Sequence, residues 1–556
     1  MRLRTLALLP GILAALAATA APIGAHAQAL PAAPAPAQRP AARPAAVSRL
    51  PASAPRLVVV ITVDQMRADY LQFFRQQFTG GLARMLRSGA LFTEAYQDHA
   101  MSETAVGHAT ILAGRNPASH GIIRNSEGAN DPSSPLIGAR GPGASPLRFR
   151  GTTLFDWLQA RSPNSRMLSV SRKDRGAILP VGRAPQMVYW IADGQFTTSD
   201  YYADSLPTWV RAFNARGVPA HAAGRAWEPL LPADSYPEPD IAPWEHGGTD
   251  IAFPHRMPVD SAAARRAFIL TPWMDELTLD FALEGVRLAA LGRGPAPDIL
   301  AVSLSATDAI GHTYGPNSRE IHDQIIRIDR MLGVFLDSLA KLRDPRRTVV
   351  VLASDHGVTP FTAFSRRNGF PLADVVTADS IVQAAYNRLV LLLGAGQWVR
   401  YFDGGLLTMD RAGLTARGVN LDSVVGALAT EIRGVHGVLR VDTPRSLAAV
   451  DTAQDASGRR WLNTVPPDVG GELMVTLKDK FVFGGANSAE HGLPSDDDTH
   501  VALLFWGAGI RAGTFTNRVS IVDLAPTLAA LLGVQPTEPI QGRALSEALA
   551  TRRGTR

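Results

Sequence analysis

The chain contains no cysteine, so it can have no disulfide, thiolate metal ligand or thiol nucleophile. It is also nearly without lysine: Lys173, Lys341, Lys478 and Lys480 are the only four among 55 basic residues. In a chain that otherwise uses arginine, a lysine at 173, two positions before Arg175 in "SVSRKDRGAILP", calls for an explanation. There is no long block of like charge. The net charge of +5, set against 50 acidic residues, therefore does not imply a nucleic-acid partner. Beyond residue 27 no stretch approaches the ~18 uncharged apolar residues that a membrane span needs, so no span is expected in the mature chain. Internal repeats and heptads are absent as well.

The amino terminus has the features of a secretory signal. Arg2 and Arg4 precede the apolar "LALLPGILAALAATAAPIGA", and "AHA" before Gln28 is a small-x-small cleavage site. Residues 1–27 are expected to be removed on export, leaving a periplasmic or secreted protein. Residues 28–55, rich in Ala and Pro, read as a disordered or polyproline-like spacer. At 46% hydrophobic and 19% charged, the rest has an ordinary globular composition.

From residue 56 to about 550 the pattern is α/β. Four continuous apolar runs (56–64, 298–308, 347–357 and 499–509) suit parallel strands buried on both faces. Helical periodicity intervenes, most clearly over 319–342, where Ile325, Ile328, Met331, Leu332, Phe335 and Leu339 fall near 3.6 spacing. The expected fold is a sandwich with a central, mostly parallel sheet flanked by helices. Segments 185–290 and 360–485 break the alternation and read as cap insertions over the site. Residues 520–534 read as an Asp-capped helix packed back on the sheet.

Metal-binding residue types gather at the strand ends. Asp64 ends the first run. Asp308 and His312 form D-x-x-x-H after the second. Asp355 and His356 follow the third, and His491 precedes the fourth. Carboxylates and neutral imidazoles are the donors that Zn²⁺ and similar ions take. Spread over four strand ends, they suit a two-metal site. A hydroxyl nucleophile comes from "SETAVGHATILAG": Thr104 precedes a helical run expected to start near Ala109, and Ser102 competes with it. A hydroxyl at a helix amino terminus meets unpaired N–H groups and the positive end of the dipole, which favour an anion.

The stretches "TVDQMRADY", "ETAVGHATILAG", "SHGIIRN", "SRKDRGAI", "SATDAIGHTYGP", "SDHG" and "HG…DDDTHVALLFWG" together resemble the alkaline phosphatase superfamily. Within it the chain is similar to the Thr-nucleophile alkaline phosphatases of the PafA type, which are relatives of the nucleotide pyrophosphatase/phosphodiesterases. The resemblance runs from about Leu57 to about Val534. It implies two Zn²⁺ ions, one held by Asp64, Asp355, His356 and the Thr104 oxygen, the other by Asp308, His312 and His491. His500 is a second candidate for the last position; His491 is preferred because it heads an H-G motif. The resemblance also implies that Lys173, Arg175 and Asn125 hold the phosphoryl oxygens, which accounts for the isolated lysine. A monoester dianion carries a charged oxygen where a diester carries carbon, so such a cationic pair favours small phosphate monoesters.

The rivals fit less well. A phosphodiesterase of the same superfamily is the nearest alternative. A sulfatase needs a Cys or Ser in C/S-x-P-x-R, and "SETAV" lacks the Pro and Arg. A phosphoglycerate mutase is cytosolic. A binding protein with closed structural metals would leave the hydroxyl and the three anion donors without a role.

Overall fold

A computed structural model describes residues 50–51, 53–485 and 489–550. The signal segment 1–27 and most of the 28–55 spacer lie outside the described residues.

Nine strands form the main sheet. They are β1 (Leu57–Val63), β2 (Ala90–Phe92), β3 (Met167–Ser171), β4 (Met187–Ala192), β5 (Gln195–Thr197), β6 (Asp298–Leu304), β7 (Thr348–Ala353), β8 (Leu503–Gly507) and β9 (Gly513–Phe515). Their order in space is β9-β2-β8-β7-β1-β6-β3-β4-β5. Strands β7, β1, β6, β3 and β4 are parallel to one another. Every residue of β1 is buried, with Val59 and Ile61 facing one apolar cluster and Val58 and Val60 the other. This burial on both faces is why the run reads apolar throughout.

Helices cover both faces. Those used below are α1 (Thr104–Ala113), α2 (Asp174–Ile178), α3 (Trp273–Leu288), α4 (Ala306–Tyr314), α5 (Arg319–Leu342) and α6 (Leu524–Leu532). On one face, Phe281 of α3 and Ile325 and Leu332 of α5 pack on Val59 and Ile61. On the other, Ile111 of α1 and Leu528 of α6 pack near Val58 and Val60. Each fully buried aliphatic side chain of this kind contributes roughly 1.5–3 kcal/mol.

The structure departs from the sequence reading in four places. First, β8 is antiparallel to β7. A strand buried on both faces is apolar whichever way it runs, so the composition of 499–509 could not show direction. The reversal matters, because β8 enters the sheet at the end where the parallel strands finish, and the loop before it delivers His491 there. Second, α1 starts at Thr104, five residues earlier than the periodicity suggested, with Glu103 as its N-cap. Third, the 185–290 segment is not all cap. It begins with β4 and β5 of the main sheet and ends in α3, leaving 198–272 outside the layers. Fourth, Asp523 does not cap α6 with its side chain; it accepts from Ser520 N (3.1 Å) and Arg543 N (2.8 Å) and so closes the turn before the helix. Segment 360–485 carries a separate four-stranded antiparallel sheet, formed by Val399–Asp403, Leu406–Met409, Leu473–Leu477 and Val438–Asp442 in that spatial order. Two helices back it over an apolar core that includes Ile381, Leu428 and Val475.

Candidate active site

Open parallel sheets present their functional residues beyond the carboxyl ends of the strands. Here β1 leads into Asp64, β6 into Ser305 and α4, and β7 into Asp355 and His356. Asp308 stands in the first turn of α4 and His312 one turn later, on the same helix face. Two close approaches hold this arrangement. A Cβ on Gly107 would stand 2.1 Å from the Asp355 carbonyl oxygen, so only glycine lets α1 lie against the end of β7. A Cβ on Gly311 would stand 1.9 Å from Gln65 Oε1.

Asp64, Asp355 and His356 each offer a ligand atom within 4.8 Å of the others, and so do Asp308, His356 and His491. His312 joins the second group through its Nε2, 3.3 Å from Asp308 Oδ1 and 3.1 Å from His491 Nε2. The imidazoles of His356 and His491 stack at 3.7 Å between centroids. Backbone carbonyls take the other ring nitrogens: Ala489 O faces His312 Nδ1 and Ser102 O faces His491 Nδ1, both at 2.7 Å. Each Nε2 therefore points into the cluster, as metal-binding histidines require. Asp64 is fully buried, and among the described residues its Oδ1 accepts no hydrogen bond. Three buried carboxylates, three convergent imidazoles and one orphaned oxygen form a donor set that fits divalent cations.

Thr104 opens α1 and is buried. Its Oγ1 lies 3.0 Å from Lys173 Nζ and 3.4 Å from His356 Nε2. The Lys173 ammonium also reaches Asp64 Oδ2 at 2.6 Å and Asp308 Oδ2 at 2.7 Å. Asn125 Oδ1 accepts from Ala105 N at 2.8 Å, and its own backbone N–H donates to Glu103 Oε2 at 2.6 Å. With Oδ1 engaged, the Asn125 amide presents its N–H₂. Arg175, in the first turn of α2, is partly exposed; its Nε is buried without a partner.

The two remaining candidates from the sequence point elsewhere. Ser102 donates to the Leu493 carbonyl at 3.0 Å and serves as an anchor for the His491 loop. His500 Nε2 faces the Thr93 carbonyl at 2.7 Å, and its ring stacks on Tyr96. It leads straight into β8 and takes no part in the cluster.

The local field follows from burial and charge. Burial raises the Asp64 carboxyl, and the neighbouring Asp308 and Asp355 charges raise it further. Burial works the same way on Asp308, but Lys173 and His312 outweigh it and hold that carboxyl well below its ordinary range. Burial would lower His491; its contacts with Asp308 dominate and push it up to about 9. Burial and the adjacent His491 hold His356 well below an ordinary imidazole.

The model of the type I phosphodiesterase / nucleotide pyrophosphatase family matches residues 58–405. The chain belongs to that family. Among its relatives, alkaline phosphatase PafA of Elizabethkingia meningoseptica is 30% identical over 539 residues, covering 89% of this chain and 94% of its own. Alkaline phosphatase PhoK of a Sphingomonas species is 32% identical over 528 residues, covering 89% and 91%. The crystal structure of wild-type PafA superposes with a TM-score of 0.83 at 29% identity, covering 89% of this chain and 99% of that one. A PafA variant substituted at a threonine, an asparagine, a lysine and an arginine superposes at 0.82, with the same identity and coverage.

Three members of the site carried no sequence signal that was read. Gln65, buried at a positive φ of 68°, donates from its backbone to Asp355 Oδ1 and from its side chain to Asp308 Oδ1, both at 3.1 Å. It ties the two carboxylate groups together; nothing in "VDQM" marks it. His108 lies one helical turn after Thr104, which was readable. Its Nδ1 is 2.9 Å from both the Thr104 carbonyl and Asp355 Oδ2. Glu103, next to Thr104, fixes the Asn125 backbone.

Proposed function

We propose that the chain is an exported, zinc-dependent hydrolase of small phosphate monoesters that works through a phosphothreonine at Thr104. The observation that carries the reading is the Lys173 ammonium, buried and 3.0 Å from Thr104 Oγ1 at the start of a helix. A fixed cation beside a hydroxyl favours its alkoxide, and beside a phosphoryl group it favours the dianion. The alkaline phosphatase relatives support monoester chemistry. The PafA variant supports the residue roles: its substituted threonine and asparagine, and its lysine and arginine, keep the same intervals as Thr104/Asn125 and Lys173/Arg175.

Asp64, Asp355, His356 and the Thr104 oxygen would hold one zinc, and Asp308, His312 and His491 the other. When bound, zinc supplies Lewis-acid neutralisation of the charge that builds on oxygen during phosphoryl transfer. The chain's own residues do the rest. Thr104 Oγ1 gives up its proton and attacks phosphorus in line with the leaving oxygen, whose P–O bond breaks as the new one forms and which leaves as the alcohol after taking up one proton through solvent. Lys173, Arg175 and the Asn125 amide hold the equatorial oxygens. Gln65 and His108 orient Asp308 and Asp355. Water then displaces Thr104 from phosphorus, releasing phosphate and returning a proton to Oγ1.

Export rests on the amino-terminal signal features. Among the described residues no helix is long and apolar enough to cross a membrane. A second reading, phosphodiester cleavage, is favoured by the family model itself. Hydrolysis of p-nitrophenyl phosphate and of its bis-ester by one preparation, before and after EDTA and after zinc return, separates the two. A faster diester reaction would replace the proposed function with the second reading.

A further inference from the structure

Arg172, in the same "SRKDR" stretch, is the residue the mechanism leaves unused. It follows β3 directly and precedes Lys173. Among the described residues its Nε is buried with no hydrogen-bond partner, and its guanidinium makes no ion pair. Burial weakens its hold on the proton, and the Asp308, Asp64 and Asp275 carboxylates strengthen it, which places the group within the field of the active site. Arg172 also lines a groove together with Arg265 and Arg266, with Ile191, Phe268 and Met274 among its apolar lining. Arg265 and Arg266 stand on the short helix Ser261–Ala267. The one acidic residue of the groove, Asp193, sits in the β4–β5 turn 3.9 Å from Arg265, too far and too exposed to neutralise three guanidinium groups.

A partly buried arginine whose Nε has no partner among the described residues, two more arginines in the same apolar-lined groove and a start one residue from the phosphoryl-group lysine have one common use. We propose that this groove is a subsite for a second anionic group, a phosphate or carboxylate carried on the leaving alcohol, so that doubly anionic monoesters are preferred substrates. Guanidinium groups suit such oxyanions because they offer forked donors and remain charged at all working pH. The apolar lining suits the carbon segment between the two anionic ends. The inference rests on the monoester reading above.

The test is a series of α,ω-alkanediol bisphosphates of increasing chain length, each compared with the alkyl monophosphate of the same length. Wild-type kcat/KM should show a bisphosphate preference that peaks at one chain length, of roughly tenfold for one charge-assisted contact. Arg265→Gln/Arg266→Gln, on an exposed helix away from Thr104, should flatten the peak while leaving alkyl monophosphate rates unchanged; Arg172→Gln should flatten it too. No peak in wild type, or a peak that survives in both variants, overturns the subsite. Loss of all monophosphate turnover in wild type would instead overturn the functional reading. Inorganic phosphate distinguishes an independent anion site. If added phosphate alters p-nitrophenyl phosphate turnover non-competitively, and the double variant abolishes that effect while the bisphosphate peak is absent, the groove binds free anion and the substrate subsite is wrong.

Discussion

Lys173→Met removes one charge from the centre of the site and keeps nearly all of the volume. Lys173 is 6% exposed, and its ammonium lies within 3.0 Å of Thr104 Oγ1, Asp64 Oδ2 and Asp308 Oδ2. Two separate losses follow. Removing a preorganised donor from the transferred phosphoryl group costs about 2–4 kcal/mol, or roughly 10²–10³ in monoester kcat/KM. A diester has less negative charge at that position, so its rate should fall much less. The second loss is structural. Without the ammonium, Asp64 and Asp308 lose the counter-ion they share; Asp308 keeps His312 and His491 and Asp355 keeps His108, so the cost is at most the about 3–5 kcal/mol of breaking a buried pair. Part of that is relieved by protonation of Asp64, whose carboxyl is already raised. The variant should therefore melt well below wild type in EDTA, and most of the gap should close with saturating zinc, since bound cations replace the missing charge. The assays are p-nitrophenyl phosphate and bis-p-nitrophenyl phosphate rates at matched zinc content, and thermal melts with and without metal. An equal fall on both substrates would refute the monoester role of Lys173. An unchanged melt in EDTA would refute its role as the counter-ion of the carboxylates.

Three other outcomes are expected. Thr104→Ala should abolish most turnover and keep the fold, whereas Ser102→Ala should keep substantial turnover; the reverse pattern in rates would move the nucleophile to Ser102. His491→Ala should lower the bound zinc and the zinc-dependent gain in melting temperature, and His500→Ala should change neither; metal analysis checks this directly. Asp275 is fully buried, and burial pushes its carboxyl up to about 7. A raised carboxyl stabilises the folded state in its protonated form, so this contribution is complete below about pH 4, the unfolded value, and is lost as pH rises to about 7. Asp275→Asn keeps an acceptor for Ala306 N, can turn its amide toward the unpartnered Gln324 Oε1, and removes that loss. The difference in unfolding free energy between variant and wild type should grow from pH 4 to 7 by on the order of 4 kcal/mol, read from denaturant melts; a flat difference would contradict it.

The α/β frame and the strand-end cluster were legible for a simple reason. Parallel strands buried on both faces are apolar until they leave the sheet, so Asp64 and Asp355 stand out where β1 and β7 stop. Asp308 and His312 were legible from their spacing of one helical turn. Direction was not legible, because a doubly buried strand such as β8 carries no mark of its polarity. The β4–β5 hairpin was missed although its turn is written in "ADGQ": Asp193 and Gly194 both take positive φ, as a two-residue Asp-Gly turn demands. Gln65 was beyond reach of the sequence, since its role depends on two carboxylates more than 200 residues away. The choice of His491 over His500 rested on a motif; its physical basis is that the loop before an antiparallel β8 passes over the carboxyl ends of the parallel strands, while His500 is already paired with Tyr96 in an antiparallel bridge.

The most direct test of Thr104 as a covalent nucleophile is to trap its phosphorylated form. The zinc-loaded enzyme is mixed with excess p-nitrophenyl phosphate, quenched in acid within one turnover, digested and analysed by mass spectrometry. The expected result is a single phosphoryl group on the peptide that contains Thr104, absent in Thr104→Ala and absent without substrate. Phosphate release at full rate with an unmodified Thr104 peptide at every quench time, or modification at Ser102 in its place, would contradict the proposed mechanism.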